Sequence, residues 1–522
     1  VPDAKKTTAP TAPNVLLIVV DQWRGDTLPI AGHPCVQTPN IDRLCARGVS
    51  FLRHYSQSAP CAPGRTSMLT GMYQANHRVV RNGTPLDARH TNLAFEARKA
   101  GYEPMLTGYT TSTPDPRQVD PSDPRFQVTG GVIDGFTVIA PFTPVKRPYF
   151  AYMRSRGHTI PKKPTDIWLP KPDYPDAEDR GPTFAPTQFP AEDSDSAYFT
   201  DHALDYLQHN YARPWFMHLG YWRPHPPFIA PEPYHAMFDP ADVPAPNRKP
   251  SLEAEAEQHP LLERYLKVLG QENFFQHGNG RVSALDDEAF RQVRATYYGM
   301  IAEVDHHVGR VLDWLESSGQ IGNTLIVFTA DHGEQLGDHY MLGKQGYFDE
   351  SYHIPMVVCD PRAEANATRG TTVRRFTETI DLMPTVLDWL DRPVPRQCDG
   401  RSLLPFCHGE PPKDWRNEVH YEFDFRNIRK PEVERSFGLR MDQCNLAVIQ
   451  DERYKYVHFA GLPPLLFDLE DDSAQLNNLA RDAGYQSVML EYTQKLLSWR
   501  MENSERILTG MQAGPGGLAE RH

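Results

Sequence analysis

The chain has 522 residues and a formal net charge of −13, with 39% hydrophobic and 11% aromatic residues. That composition excludes disordered and fibrous classes and leaves room for one large α/β core or two to four domains. The acidic balance excludes non-specific nucleic-acid binding, which needs surplus Lys and Arg, but not one locally cationic pocket.

Residues 1–13 are a polar Pro/Thr/Ala segment, expected to be a flexible tail. Residues 14–20 are apolar without alternation, as a strand buried on both faces should be. The apolar run at 15–20 is far short of a membrane span or a signal core, so a cytoplasmic protein without membrane contact is expected. Helical patterns follow at 38–47, 64–73, 91–100 and 195–209, and a second buried strand at 215–219. From 286 to 317 apolar residues recur at Phe290, Val293, Tyr297, Met300, Val304, Val308, Val311 and Leu315, the spacing of a long amphipathic helix. Buried-strand runs at 324–328 and 354–358 and a helix near 379–391 complete the alternation. The expected fold class is α/β, a largely parallel sheet sandwiched by helices.

Two regions differ. Residues 161–250 hold 18 of the chain's 48 prolines and read as a mostly irregular insertion over one edge of the core. After Pro412 come short segments at 419–423, 446–449 and 454–459 and a helix near 484–502. These predict a small antiparallel C-terminal subdomain over 413–508, following a catalytic domain over 14–412. The Gly-rich stretch 509–522 has no core of its own.

Chemistry is expected where strands end, because ligands of open α/β sheets gather beyond the carboxyl ends. Asp21-Gln22 follows the first strand and Asp331-His332 the strand at 324–328. Two carboxylates, an amide oxygen and an imidazole suit one divalent ion. Cys61 lies between Pro60 and Pro63, with Arg65 beyond, at a helix start favourable for an anion. The seven cysteines contain no Cys-x-x-Cys pair, so neither a disulfide framework nor a structural zinc site is expected.

Cys61-x-Pro63-x-Arg65 followed by Leu69-Thr70-Gly71 resembles the sulfatase signature, in which the cysteine becomes formylglycine. The segments around Asp21, Thr38 to Leu44, Thr329 to Glu334, Leu336 to His339 and Leu342 to Lys344 resemble the same branch of the alkaline-phosphatase superfamily, in family order. Where the usual sulfatase pattern has Asp-Asp and then Gly-Lys-x-His, this chain has Asp21-Gln22 and Gly108-Tyr109-Thr110-Thr111. With Tyr221 to Phe228, these departures resemble the phosphonate monoester hydrolase and phosphodiesterase group.

The resemblance implies a hydrolase of phosphonate monoesters and phosphodiesters with promiscuous sulfate-ester hydrolysis; an arylsulfatase is the runner-up, and a non-catalytic binding protein is third. It implies a formylglycine nucleophile at Cys61, matured by a formylglycine-generating enzyme. Arg65 and Lys344 would be charged contacts, His225 a general acid, and Asn82, Tyr109 and Thr111 neutral substrate contacts. One metal ion would be held by Asp21, Gln22, Asp331, His332 and residue 61, with Mn²⁺ or Zn²⁺ favoured over Ca²⁺ by the imidazole. The resemblance also implies a homotetramer with 509–522 as its assembly arm.

Overall fold

The computed structural model describes residues 13–521; the expected tail at 1–13 therefore lies almost wholly outside the described residues. Every residue of the strand Asn14–Val20 is buried. It pairs in parallel with Phe216–Tyr221 on one side and Thr324–Ala330 on the other. These form the middle of an eight-stranded sheet ordered Thr371–Val373, Val49–Phe51, Met356–Cys359, Thr324–Ala330, Asn14–Val20, Phe216–Tyr221, Pro104–Gly108 and Thr137–Pro141. Only Met356–Cys359 runs against its neighbours. The sheet is largely parallel, as expected.

Successive side chains of a strand point to opposite faces, and both faces here are covered. Leu16, Ile18 and Val20 pack in one core with Val304, Val308 and Val311 of the helix Asp287–Ser317. Val15, Leu17 and Val19 pack in the other with Met68, Leu69, Val386 and Leu387 from the helices Cys61–Thr70 and Leu382–Trp389. The unalternating sequence of the first strand follows from this two-sided burial.

A second sheet, antiparallel, runs Leu465–Asp468, Tyr454–Phe459, Asn445–Gln450 and Val419–Asp424, and the helix Gln486–Glu502 packs on it through Tyr492, Leu496 and Trp499. Its fifth strand is Ser58–Ala59, added in parallel to Val419–Asp424. The residues just before Cys61 thus belong to the C-terminal sheet, and the cysteine is held between the two sheets.

Within the stretch 161–250 the expected helix and strand are present: Asp195–Asn210 packs in the main core, and Phe216–Tyr221 lies beside the first strand at the sheet centre. The run 354–358 is two strands, His353–Ile354 and Met356–Cys359, because Pro355 has no N–H to continue a ladder. Strands at Val49–Phe51, Pro104–Gly108, Thr137–Pro141 and Leu465–Asp468 were not expected; they are short, and one begins with proline and ends with glycine. The Gly-rich end forms an exposed hairpin, Met511–Gly514 with Gly517–Glu520. Among the described residues no helix is long and apolar enough to cross a membrane.

Candidate active site

Register builds the site. Val20 pairs with both Ala330 and Tyr221, so the next residues, Asp21, Asp331 and Trp222, leave the sheet side by side at its carboxyl end. Gln22 turns the chain with a left-handed φ of 68°, and its carbonyl accepts a hydrogen bond from the Tyr297 hydroxyl (2.7 Å). Such a conformation in a non-glycine residue is costly and is retained where the surroundings over-determine it. The Asp331 carbonyl accepts from Ser56 Oγ (2.6 Å). Gly64, one turn into the helix Cys61–Thr70, lies so close to this loop that a Cβ there would be 2.7 Å from the Asp331 carbonyl oxygen and 2.9 Å from that of Ser58.

Cys61 Sγ is 3.2 Å from His332 Nε2, 3.4 Å from Lys344 Nζ and 3.7 Å from Asp21 Oδ1. Arg65, fully buried, donates from Nε to Asp331 Oδ2 (2.8 Å), from Nη2 to Asp21 Oδ2 (3.0 Å) and from Nη1 to the Tyr109 carbonyl (3.0 Å). Burial works to raise the pKa of Asp21, but His225, Arg65 and Lys344 outweigh it and hold the carboxyl well below the usual range. Asp331 goes the other way: burial and the Asp21 charge push it up against Arg65. Burial, with Asp21 beside it, pushes the Cys61 thiol up to about 12, so an unmodified thiol stays protonated at neutral pH.

The donor set fits a divalent ion. One ligand atom each from Asp21, Cys61, Asp331 and His332 lie within 4.8 Å of one another, all four residues buried. His332 Nε2 is 3.6 Å from Asp331 Oδ1 and 3.7 Å from Asp21 Oδ1, too long for hydrogen bonds. Such separations are those of atoms each about 2.0–2.2 Å from a shared ion. His332 Nδ1–H donates to the Gly333 carbonyl (3.1 Å), which leaves Nε2 free as a ligand. Burial, with Lys344 nearby, holds this imidazole neutral.

Of the remaining expected residues, Gln22, Asn82, His225 and Tyr109 are tied to this cluster by contacts or charge. The Gln22 amide accepts from Lys344 Nζ and donates to Glu334, a buried carboxyl that burial pushes up to about 7. Asn82 Oδ1 accepts from Ala62 N (2.9 Å) at the helix start. Thr111 has a left-handed φ of 57° and a buried Oγ1 without a partner among the described residues. His225 Nδ1 lies 2.7 Å from the Pro226 carbonyl, and its pKa falls to about 4 through burial and the Lys344 charge. The Tyr109 hydroxyl donates to Asp21 Oδ2 (2.6 Å), and its ring lies 4.7 Å from the Arg65 guanidinium carbon.

Sequence reasoning missed Glu334, Ser56 and Tyr297. Tyr297 carried no signal, since on the helix pattern it is indistinguishable from a core residue. Glu334 ends the Thr329 to Glu334 segment and Ser56 lies just before the Cys61 motif, but nothing in their spacing says which partner either holds.

The sulfatase family description matches residues 13–392. The chain belongs to the sulfatase family, of the alkaline-phosphatase superfamily. A second description, the C-terminal region of N-sulphoglucosamine sulphohydrolase, matches residues 337–502. The chain is 48% identical over 519 residues to the multifunctional alkaline phosphatase superfamily protein PehA of Trinickia caryophylli, covering 98% of this chain and 100% of that one. It resembles the solved phosphonate monoester hydrolase of Agrobacterium radiobacter with TM-score 0.94 and 45% identity, covering 98% and 100% of the two chains. The phosphonate monoester hydrolase of Silicibacter pomeroyi follows with TM-score 0.91 and 38% identity, covering 98% and 99%.

Proposed function

We propose that this sulfatase-family enzyme hydrolyses phosphonate monoesters and phosphodiesters, using one divalent metal ion and a formylglycine at position 61, with sulfate-ester hydrolysis as a lesser activity. The observation that carries this reading is the pair of neutral residues at the two positions where the sulfatase pattern has cations. Where the sulfatase pattern has Lys and His, Tyr109 commits its hydroxyl to Asp21 and Thr111 presents an unpartnered hydroxyl. A sulfate monoester and a phosphodiester each carry one negative charge; the diester also carries a second, neutral substituent. The loss of two cations at these positions suits that substituent. The full-length likeness to two phosphonate monoester hydrolases supports the same reading.

Asp21, Gln22, Asp331, His332 and residue 61 would hold the ion, which supplies a Lewis acid and lowers the pKa of a bound hydroxyl. Manganese or zinc suits the imidazole better than calcium. Formylglycine, made by a formylglycine-generating enzyme, supplies the nucleophilic hydroxyl that a thiol held protonated does not. Arg65 clamps the two ligand carboxylates together. Lys344 Nζ, 3.4 Å from Sγ, sits where charge develops on the transferring group. His225, neutral at rest with Nδ1–H on Pro226, presents Nε2 as an acceptor; a bound anion raises its proton affinity and lets it serve the leaving oxygen. Asn82 and Thr111 contact the non-reacting oxygens.

Steady-state kcat/KM on an aryl phosphodiester, a phosphonate monoester and a sulfate ester with one shared leaving group tests the proposal. The phosphorus esters should be the better substrates; a wide margin for the sulfate would make the protein an arylsulfatase. The reading extends to assembly as a homotetramer through 509–522, whose hairpin exposes Leu518. Light scattering on a chain ending at Leu508 should show smaller particles, and equal masses would refute the arm.

A further inference from the structure

Trp222 leaves the sheet beside Asp21 and Asp331, and its half-buried indole touches two site residues at once. Its ring centroid is 4.5 Å from that of His225, with the planes at 60°, and 5.3 Å from that of Tyr109, at 52°. Its Nε1–H donates to the Pro226 carbonyl (3.2 Å), the same oxygen that lies 2.7 Å from His225 Nδ1. One carbonyl therefore holds both rings. With Nδ1 tied there, Nε2 is the nitrogen left for a substrate oxygen.

The indole is itself held from behind. Trp168 stacks on it with centroids 5.4 Å apart and planes at 22°, and Phe142 meets it at 5.8 Å. The ammonium of Lys146 sits inside this box, 3.9 Å from the Phe142 centroid, 4.5 Å from that of Trp168 and 5.5 Å from that of Trp222. Lys146 is 4% exposed and makes no hydrogen bond or ion pair with a carboxylate among the described residues. A buried ammonium without a directly paired carboxylate is disfavoured unless its charge is received elsewhere; here three aromatic faces and the nearby Asp195 carboxylate receive it. Trp168 is pinned in turn by its Nε1–H to Asp195 Oδ2 (2.9 Å), and Asp195 pairs with Arg223, the residue after Trp222.

We propose that Trp222 is a positioning residue that sets the orientation of His225 toward the leaving oxygen, and that caged Lys146 holds the indole in that pose. The inference rests on the reading of His225 as the group serving that oxygen. A group that stabilises a departing oxygen matters most when the oxygen departs reluctantly, so loosening it penalises poor leaving groups more than good ones.

The experiment measures kcat/KM of the matured, metal-loaded enzyme on aryl phosphodiesters whose leaving groups run from 4-nitrophenol to phenol. Trp222→Leu, Trp222→Phe and Lys146→Met are compared with His225→Ala, and unfolding temperature and metal content are measured for each. Trp222→Leu should lose about fivefold or less on the nitrophenyl ester and about fiftyfold or more on the phenyl ester. Trp222→Phe and Lys146→Met should show the same tilt, smaller. Adding Trp222→Leu to His225→Ala should cost little further, since both act through one group. A loss uniform across leaving groups, or full additivity with His225→Ala, overturns the proposal. If Trp222→Leu fails to fold, Lys146→Met decides by the same two criteria. A His225→Ala loss that is itself uniform across leaving groups instead overturns the role given to His225, and the two failures are thereby told apart.

Discussion

Gly64→Ala is a one-methyl test of how Cys61, the proposed nucleophile position, is placed. The added Cβ would stand 2.7 Å from the Asp331 carbonyl oxygen, 2.9 Å from that of Ser58 and 3.3 Å from Ser56 Oγ. The two nearest atoms are backbone and cannot swing aside. Ordinary contact begins near 3.4 Å, so the helix start must retreat by about 0.7 Å. Cys61 and Arg65 ride on that helix, and such a retreat stretches the 2.8 Å Arg65–Asp331 bond to the limit of a hydrogen bond. Overpacking of this kind costs about 1–3 kcal/mol of stability. A displacement approaching 1 Å at a nucleophile costs up to about 100-fold in rate. The expected outcome is a soluble protein with a lowered unfolding temperature, weaker metal retention and kcat/KM down by about 10- to 100-fold. Steady-state kinetics, elemental analysis and a thermal melt read these three quantities, with Gly322→Ala, where a Cβ meets nothing within 4 Å, as the neutral control. Wild-type kcat/KM with unchanged metal content would show that the contact is not what places Cys61.

Other outcomes follow from the same geometry. Protein made without the maturing enzyme should be inactive, and its Cys61 thiol, pushed up to about 12, should resist alkylation at pH 8; rapid labelling of that residue in mapped peptides would contradict the burial argument. On the proposed reading Asp331→Asn removes a metal ligand and an Arg65 partner together, so metal per chain should fall well below one equivalent, and exhaustive chelation of the wild type should abolish turnover. Full occupancy in Asp331→Asn would exclude it as a ligand. Away from the site, burial works to raise Asp360, but hydrogen bonds from Arg362, His408 and Trp389 hold it at about 2. A depressed carboxyl stabilises the folded state above its unfolded pKa near 4 and loses that contribution as pH falls through 2. Asp360→Asn should therefore cost about 1–2 kcal/mol at pH 7, discounted for partial solvent screening, and progressively less between pH 4 and pH 2. Denaturant melts at both ends of that window check it, and a gap that widens on acidification would refute the sign.

The sequence by itself carried the elements with a long local pattern. Unbroken apolar runs at 14–20 and 324–328 announced strands buried on both faces, and the three-and-four spacing from Phe290 to Leu315 announced the helix Asp287–Ser317. Because a strand that ends at Val20 must release Asp21 at the sheet's edge, chain order alone made Asp21 and Asp331 candidates for one ion. The Cys61 to Arg65 motif was legible for a similar reason: its residues share the first turns of one helix. What only the tertiary structure decided is where each polar atom finds its partner. The register of strands more than 300 residues apart brings the two aspartates together. The Tyr109 hydroxyl goes to Asp21, and Ser58–Ala59 joins a sheet built from residues after 418. Gly64 is glycine because another chain segment's carbonyl lies where its Cβ would be. Periodicity is a property of neighbours along the chain, whereas a hydrogen bond is settled by whatever lies within about 3 Å in space, and that distance carries no mark in the order of residues.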